Sequence, residues 1–198
     1  MASTNKPLQD LFVKHHYDMD NMRRKSSAWF NQQVALMAGK RITPNKILQN
    51  NLSSLGTKVL PGNLYLYYYD PKTKDTLPYY DRFPMVFPWK ANKDGFIGLN
   101  MHYLPYQLRV KLMDNLLVFR NNDKMDQTTK LRYSWQLIDG IAKFGLAKPC
   151  VKQYLYSHVQ SPFVRVEAND WGTAMMMPVE RFVKAGKDQV WLDSRRKI

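Results

Sequence analysis

Cysteine is nearly missing from this 198-residue chain: Cys150 stands alone. That excludes an internal disulfide framework and any zinc site built on several thiolates. Glutamate is almost as scarce, with Glu167 and Glu180 the only two among sixteen acidic residues. No apolar run approaches the roughly 18–20 residues that cross a bilayer. The first ten residues are polar, so neither a membrane span nor a secretory leader is expected, and the sequence reads as that of a soluble intracellular protein. Internal repeats, low-complexity tracts, a Gly-x-Ser-x-Gly elbow and phosphate-cradling glycine loops are also missing, which leaves nucleotide and ester hydrolysis without their minimal parts.

What the chain has in excess is positive charge. Thirty Lys and Arg give a formal net charge of +14 and a pI near 9.8, on a composition that is 44% hydrophobic and hence globular. A surplus of that size draws polyanions, nucleic acid above all. It is unevenly placed: residues 1–58 carry net +6 and residues 106–160 net +5, whereas residues 59–105, rich in aromatics and proline, carry +1. Arg23-Arg24-Lys25, Lys40-Arg41 and Arg195-Arg196-Lys197, with Arg109 and Lys111, are the candidate contacts to double-stranded DNA. Phosphate recognition asks only for cations on a suitable contour.

The element pattern suggests an α+β fold: a small antiparallel, barrel-like sheet packed with amphipathic helices, residues 59–198, preceded by a basic N-terminal arm with short helices, residues 1–58. Ser26 and Ser27 can cap a helix that ends near Gly39, and Thr43-Pro44 repeats the start signal for another through about Asn51. Leu64 to Tyr69 reads as a strand covered on both faces. Phe83 to Trp89 is a second strand, which Pro84 and Pro88 confine to an edge or a bulge. Asn92 to Gly95 is a hairpin signal leading to a third strand, Phe96 to His102. Pro105 opens a helix with Leu108, Leu112 and Leu116 inward and Arg109 and Lys111 outward. A second helix from Thr128 places Leu131, Trp135 and Ile138 on its apolar face. A third is expected from Pro149, with Cys150, Val151, Tyr154 and Leu155 inward; Phe163 to Val166 is a further strand, and Pro178 opens a last short helix.

The chemistry-bearing residues favour structural roles. His15 and His16 are adjacent and cannot share a helix face, while His102 and His158 are isolated, so no metal and no cofactor is expected. A nuclease would need clustered carboxylates, but Asp70 and Asp75 fit turn positions beside Pro71 and Lys74. Cys150 follows Pro149 at an expected helix start, where a thiol pKa can fall, yet packing is the commoner fate of a lone cysteine. Tyr65, Tyr67, Tyr68, Tyr69, Tyr79 and Tyr80 have the faces to stack on bases, but their density within apolar strands favours the core. Asp81 can fix its turn by accepting backbone N–H bonds, and His102, at a strand end, can hydrogen-bond it across the sheet as a structural polar pin.

The middle of the chain carries a longer pattern. Pro61-Gly62-Asn63-Leu64-Tyr65 is followed by Tyr69-Asp70-Pro71-Lys72, by Leu77-Pro78-Tyr79-Tyr80-Asp81-Arg82-Phe83-Pro84, and by Gly95-Phe96-Ile97-Gly98-Leu99-Asn100-Met101-His102-Tyr103-Leu104-Pro105. Over about residues 59–195 this resembles a family of small virion proteins of T-even-like tailed phages, the DNA end protectors. The resemblance implies a noncatalytic virion or DNA-packaging accessory that binds DNA and shields the ends of the packaged molecule. It would reside in the virion, and in the host cytoplasm during assembly, with other virion proteins as partners and oligomers within the particle. It brings no catalytic residues with it. The second reading is a structural connector of neck, tail or baseplate whose positive surface meets acidic neighbouring subunits; a nuclease is the third.

The arm yields a test. Residues 1–25 have too few spaced apolar positions to offset a backbone ordering cost of roughly 1–2 kcal/mol per residue, so the sequence reads as an arm that orders only on a partner. Deleting residues 1–25 is expected to leave the melting temperature nearly unchanged while weakening DNA binding. A much lower melting temperature would show that the segment packs on the core.

Overall fold

The computed structural model describes residues 26–39, 42–50, 55–120 and 145–198, with positions 126, 129, 132, 136 and 138–140 between them. Arg23, Arg24, Lys25, Lys40 and Arg41 lie outside the described residues, as do Leu131 and Trp135.

The first two helices start where their caps dictate. In α1 (Ser27–Ala38) the Ser26 hydroxyl accepts from the Trp29 N–H at 3.3 Å. In α2 (Pro44–Asn50) Thr43 caps the Lys46 N–H at 3.4 Å, and Pro44 occupies the first turn, where no N–H is needed. The chain then lays down β1 (Leu55–Gly56), β2 (Leu64–Leu66), β3 (Tyr80–Asp81), β4 (Met85–Ala91) and β5 (Gly95–Asn100). A 3₁₀ turn, Met101–Tyr103, leads into α3 (Tyr106–Arg120). Positions 129, 132, 136 and 138–140 are helical. A 3₁₀ segment, Gly145–Cys150, precedes β6 (Val151–Leu155) and β7 (Phe163–Val166), then α4 (Trp171–Met176), β8 (Phe182–Val183) and α5 (Lys187–Arg196).

Six strands form one antiparallel sheet in the order β1-β7-β2-β4-β5-β6, while β3 and β8 form a separate two-stranded ribbon. The fold is mixed helix and sheet as expected, but the sheet is open: β1 and β6 are its two edges and it does not close into a barrel.

Side-chain alternation explains why both faces are covered. Leu64, Leu66, Met85, Phe87, Leu99, Val164 and Val166 face a large apolar cluster that also holds Met37, Ile47, Val110, Met113 and Trp171. The opposite face carries Tyr65, Tyr67, Tyr69, Val86, Phe96, Tyr154 and Phe163 in a second, aromatic cluster. There Tyr67 stands edge-on to Phe163 at 4.8 Å and Phe96 stacks on Tyr154 at 5.3 Å. Of the tyrosines considered as base-stacking platforms, Tyr65, Tyr67 and Tyr69 are thus buried in packing, whereas Tyr68, Tyr79 and Tyr80 are half-buried. Met37 of α1 and Ile47 of α2 belong to the same cluster as Leu64 and Trp171.

Several local expectations change. Strand β4 is interior, between β2 and β5, and the chain absorbs its prolines with a register shift between Pro88 and Lys90: the bulge is present and the edge position is not. The segment after Pro149 is a strand instead of a helix. Its Val151, Lys152, Gln153, Tyr154 and Leu155 pair with Leu99 to Gly95, and pairing with a preformed sheet edge outweighs a periodicity too short to discriminate. No helix starts at Pro178; the last one begins at Lys187. Cys150 is buried, and burial pushes its thiol up to about 12, away from reactivity.

The β5 edge is tight. A Cβ on Gly95 would sit 2.0 Å from the Tyr154 carbonyl oxygen, and one on Gly98 would sit 2.4 Å from Val86 Cγ1 and 2.7 Å from the Phe87 carbonyl oxygen. Gly95→Ala must therefore separate β5 from β6 and is expected to cost about 3 kcal/mol in chemical denaturation. Gly140→Ala, whose Cβ meets nothing within 4 Å in a helix, is expected to gain about 0.5–1 kcal/mol. Equal effects at the two sites would contradict this packing.

Candidate nucleic-acid interface

Strand β3 ends on Asp81, whose side chain turns into the protein. Its Oδ1 accepts the backbone N–H groups of Phe83 at 3.0 Å and Arg181 at 3.2 Å. Its Oδ2 accepts Asn100 Nδ2 at 3.2 Å and His102 Nδ1 at 2.7 Å. Burial by itself would raise the carboxyl's pKa; the His102 ring and the N–H donors outweigh it and hold Asp81 below the usual carboxylate range. An ionised carboxylate only accepts, so the His102 proton sits on Nδ1. The ribbon, the end of β5 and the Met101–Tyr103 turn are thereby tied to one side chain.

His102 also links this carboxylate to a second buried charge. Its carbonyl oxygen accepts Arg109 at 3.3 Å and Trp191 Nε1 at 2.9 Å. Arg109, expected on the outward face of its helix as a DNA contact, is instead fully buried. Its guanidinium donates to the carbonyls of Leu104 at 2.7 Å and Met175 at 3.2 Å, pairs with Glu180, and lies against the Tyr106 ring at 4.6 Å. The planar fork of the guanidinium reaches four acceptor oxygens, those of Leu104, Met175, His102 and Glu180. Burial pushes the Glu180 carboxyl up, and the Arg109 guanidinium more than reverses it, leaving Glu180 below its ordinary range. Arg109 is a packing cation with no face toward a phosphate.

Beside the Asp81 knot opens a cleft of about 400 Å³. Pro71, Lys72, Thr73, Leu77 and Pro78 form one wall, Tyr79, Tyr80 and Tyr103 a second, and Lys152, Tyr154 and Lys197 a third, with Asp81 the sole carboxylate in the lining. The first wall is held from outside: Lys184 donates through Nζ to the carbonyls of Lys74, Asp75 and Leu77 at 2.7, 2.8 and 3.1 Å. Lys184 adopts φ 70°, a left-handed conformation that a lysine avoids unless its surroundings impose it. Lys152 shares the Tyr154 face of β6 and lies over the Tyr103 ring at 4.2 Å. Burial, with help from Lys197, pushes the Lys152 ammonium down to about 8.

The expected contacts divide into three groups. Arg195, Arg196 and Lys197 are exposed at the end of α5, and Lys111 is exposed on α3. Arg109 is interior, and the N-terminal clusters lie outside the described residues. Only Lys197 among these reaches the cleft. Lys72 and Lys152 escaped the sequence reading; the alternation of Lys152 with Tyr154 is visible in the sequence but disappears when the segment is read as a helix. Among the described residues, no group of three or more His, Cys, Asp and Glu is placed to hold a metal ion, and no helix is long and apolar enough to cross a membrane.

The two buried carboxyls set an acid limit. Each binds its proton less tightly folded than unfolded, so the unfolded chain takes up more protons as the pH falls through about 4, and stability drops until the folded groups are protonated too. Melting temperatures recorded from pH 7 to pH 3 should fall steeply over the lower part of that range. Asp81→Asn should melt lower at pH 7 with a shallower acid limb, and Asp81→Ala, which strands four donors, should cost about 3–5 kcal/mol. A parent-like melting temperature for either variant at pH 7 would contradict the role given to this carboxylate.

No curated protein matches the chain, and no solved structure does. A family model does, over residues 9–194, and it is described as the phage T4 terminal DNA protecting protein. That span takes in both buried charge pairs and every cleft residue named above except Lys197, and it stops short of the Arg195-Arg196-Lys197 cluster. The chain belongs to the phage T4 terminal DNA protecting protein family.

Proposed function

We propose that this protein binds the ends of packaged double-stranded phage DNA and shields them from exonucleases without cutting them, as a virion component. The match of residues 9–194 to a terminal DNA protecting family carries the reading. The charge supports it. Arg109 is neutralised internally by Glu180, whereas Lys111, Lys148, Arg181, Arg195, Arg196 and Lys197 are exposed. Cations so displayed bind phosphates with counterion release and little regard for sequence. The clusters at Arg23 to Lys25 and at Lys40-Arg41 add to the positive charge of the sequence.

Exonuclease protection and competition test it together. Linear duplex incubated with the protein is expected to resist an added exonuclease, with affinity that falls steeply as salt rises. Covalently closed circles should compete poorly for the protein. Equal competition by circles and linear molecules would reject end recognition. Failure to bind duplex even at low salt would favour a connector whose positive surface meets acidic subunits.

A further inference from the structure

The cleft next to Asp81 has a size and lining that an all-purpose basic surface does not need. We propose that it is a seat for the terminal nucleotide of a DNA strand, with a terminal phosphate monoester between Lys152 and Lys197 and the base against Tyr79. This rests on the end-protecting reading and names the chemical group recognised.

Three observations carry it. The first is size: about 400 Å³ lies in the range of sites that enclose one small ligand, and a paired duplex is too broad to enter. A single nucleotide at a frayed end, or the end itself, is what such a cleft can take from DNA. The second is charge. Lys72, Lys152 and Lys197 line the cleft against one carboxylate, and that carboxylate, Asp81, already accepts four hydrogen bonds. Lys152 is half-buried over Tyr103, and among the described residues no oxygen accepts from its Nζ. An ammonium withdrawn from water with only a ring beneath it gains from an incoming anion. A terminal monoester, with up to two negative charges, gains more there than a backbone diester with one. The third is preorganisation. The Pro71–Pro78 wall is fastened by the three carbonyl contacts of Lys184, by the Lys74–Asp70 ion pair at 2.8 Å and by His158 Nδ1 on the Asp70 carbonyl at 2.8 Å. Little remains to be ordered when a ligand arrives. Tyr79 and Tyr80 line the cleft and stay half-buried, which leaves ring surface for a base.

The test uses the full-length protein and short blunt duplexes that differ only in their ends: 5′-phosphate, 3′-phosphate or hydroxyl at both. One phosphorylated form is expected to bind about tenfold more tightly than the hydroxyl form, the scale of one charge-assisted contact, and the two phosphorylated arms identify which strand end enters. Lys152→Met keeps the apolar cover on Tyr103 and should abolish the preference while leaving affinity for closed circles unchanged. Lys197→Ala, an exposed position that the fold does not depend on, should reduce the preference as well, with at most the small loss for circles that one surface cation accounts for. A preference that survives both substitutions, or a parent protein indifferent to terminal phosphate, overturns the seat. If linear duplex still outcompetes circles in that case, end protection stands and the recognition lies elsewhere; if circles compete equally, both fall.

Discussion

The buried carboxylate of Asp81 is the constraint on which most of this architecture turns. A charge removed from water is tolerated only when its oxygens are fully engaged, and here the four donors come from three stretches of the sequence: Phe83, Asn100 with His102, and Arg181. Satisfying them fixes the β3/β8 ribbon against the end of β5. The His102 carbonyl then passes the constraint to Arg109 and Trp191, so that α3, α4 and α5 are positioned around a second buried charge. Two opposite charges, each with its own partner, hold together segments that the main sheet does not itself connect.

The consequence for function is geometric. Tyr80 and Asp81 of the ribbon and Lys152 to Leu155 of the β6 edge strand are brought to the lining of one cleft. Its one carboxylate is engaged by internal donors, while Lys72, Lys152 and Lys197 leave the lining a surplus of positive charge. A chain with a large positive surplus would bind DNA almost anywhere on its surface. Discrimination of an end needs a feature that an end can enter and a continuous duplex cannot, and a small preorganised cleft has that property.

Much of this was legible in the sequence, for identifiable reasons. Caps at Ser26 and Thr43 and the Asn92–Gly95 hairpin are local signals, and each produced its element; the aromatic-rich Leu64–Tyr69 run pairs as a strand over its first half, Leu64–Leu66. The Asp81–His102 pairing could be anticipated because both residues sit at strand ends in one motif. What stayed hidden depended on distant partners. Arg109 reads as a surface cation until Glu180, Leu104 and Met175 converge on it from elsewhere in the chain. The segment Val151–Leu155 becomes a strand because β5 offers an open edge, a fact no five-residue window contains. Misreading that strand concealed Lys152, and with it the cleft. Short strands and tight turns suggest a barrel-like sheet, but how far a sheet closes is decided by which strands end up at its edges, here β1 and β6, which do not meet.

A structure of the full-length protein bound to a short blunt duplex would test the account most directly. It predicts density for a strand terminus inside the cleft, its phosphate within hydrogen-bonding distance of Lys152 Nζ and the duplex axis pointing away from the protein. A duplex lying sideways along the exposed Arg195, Arg196 and Lys111 surface, with the cleft empty, would contradict it.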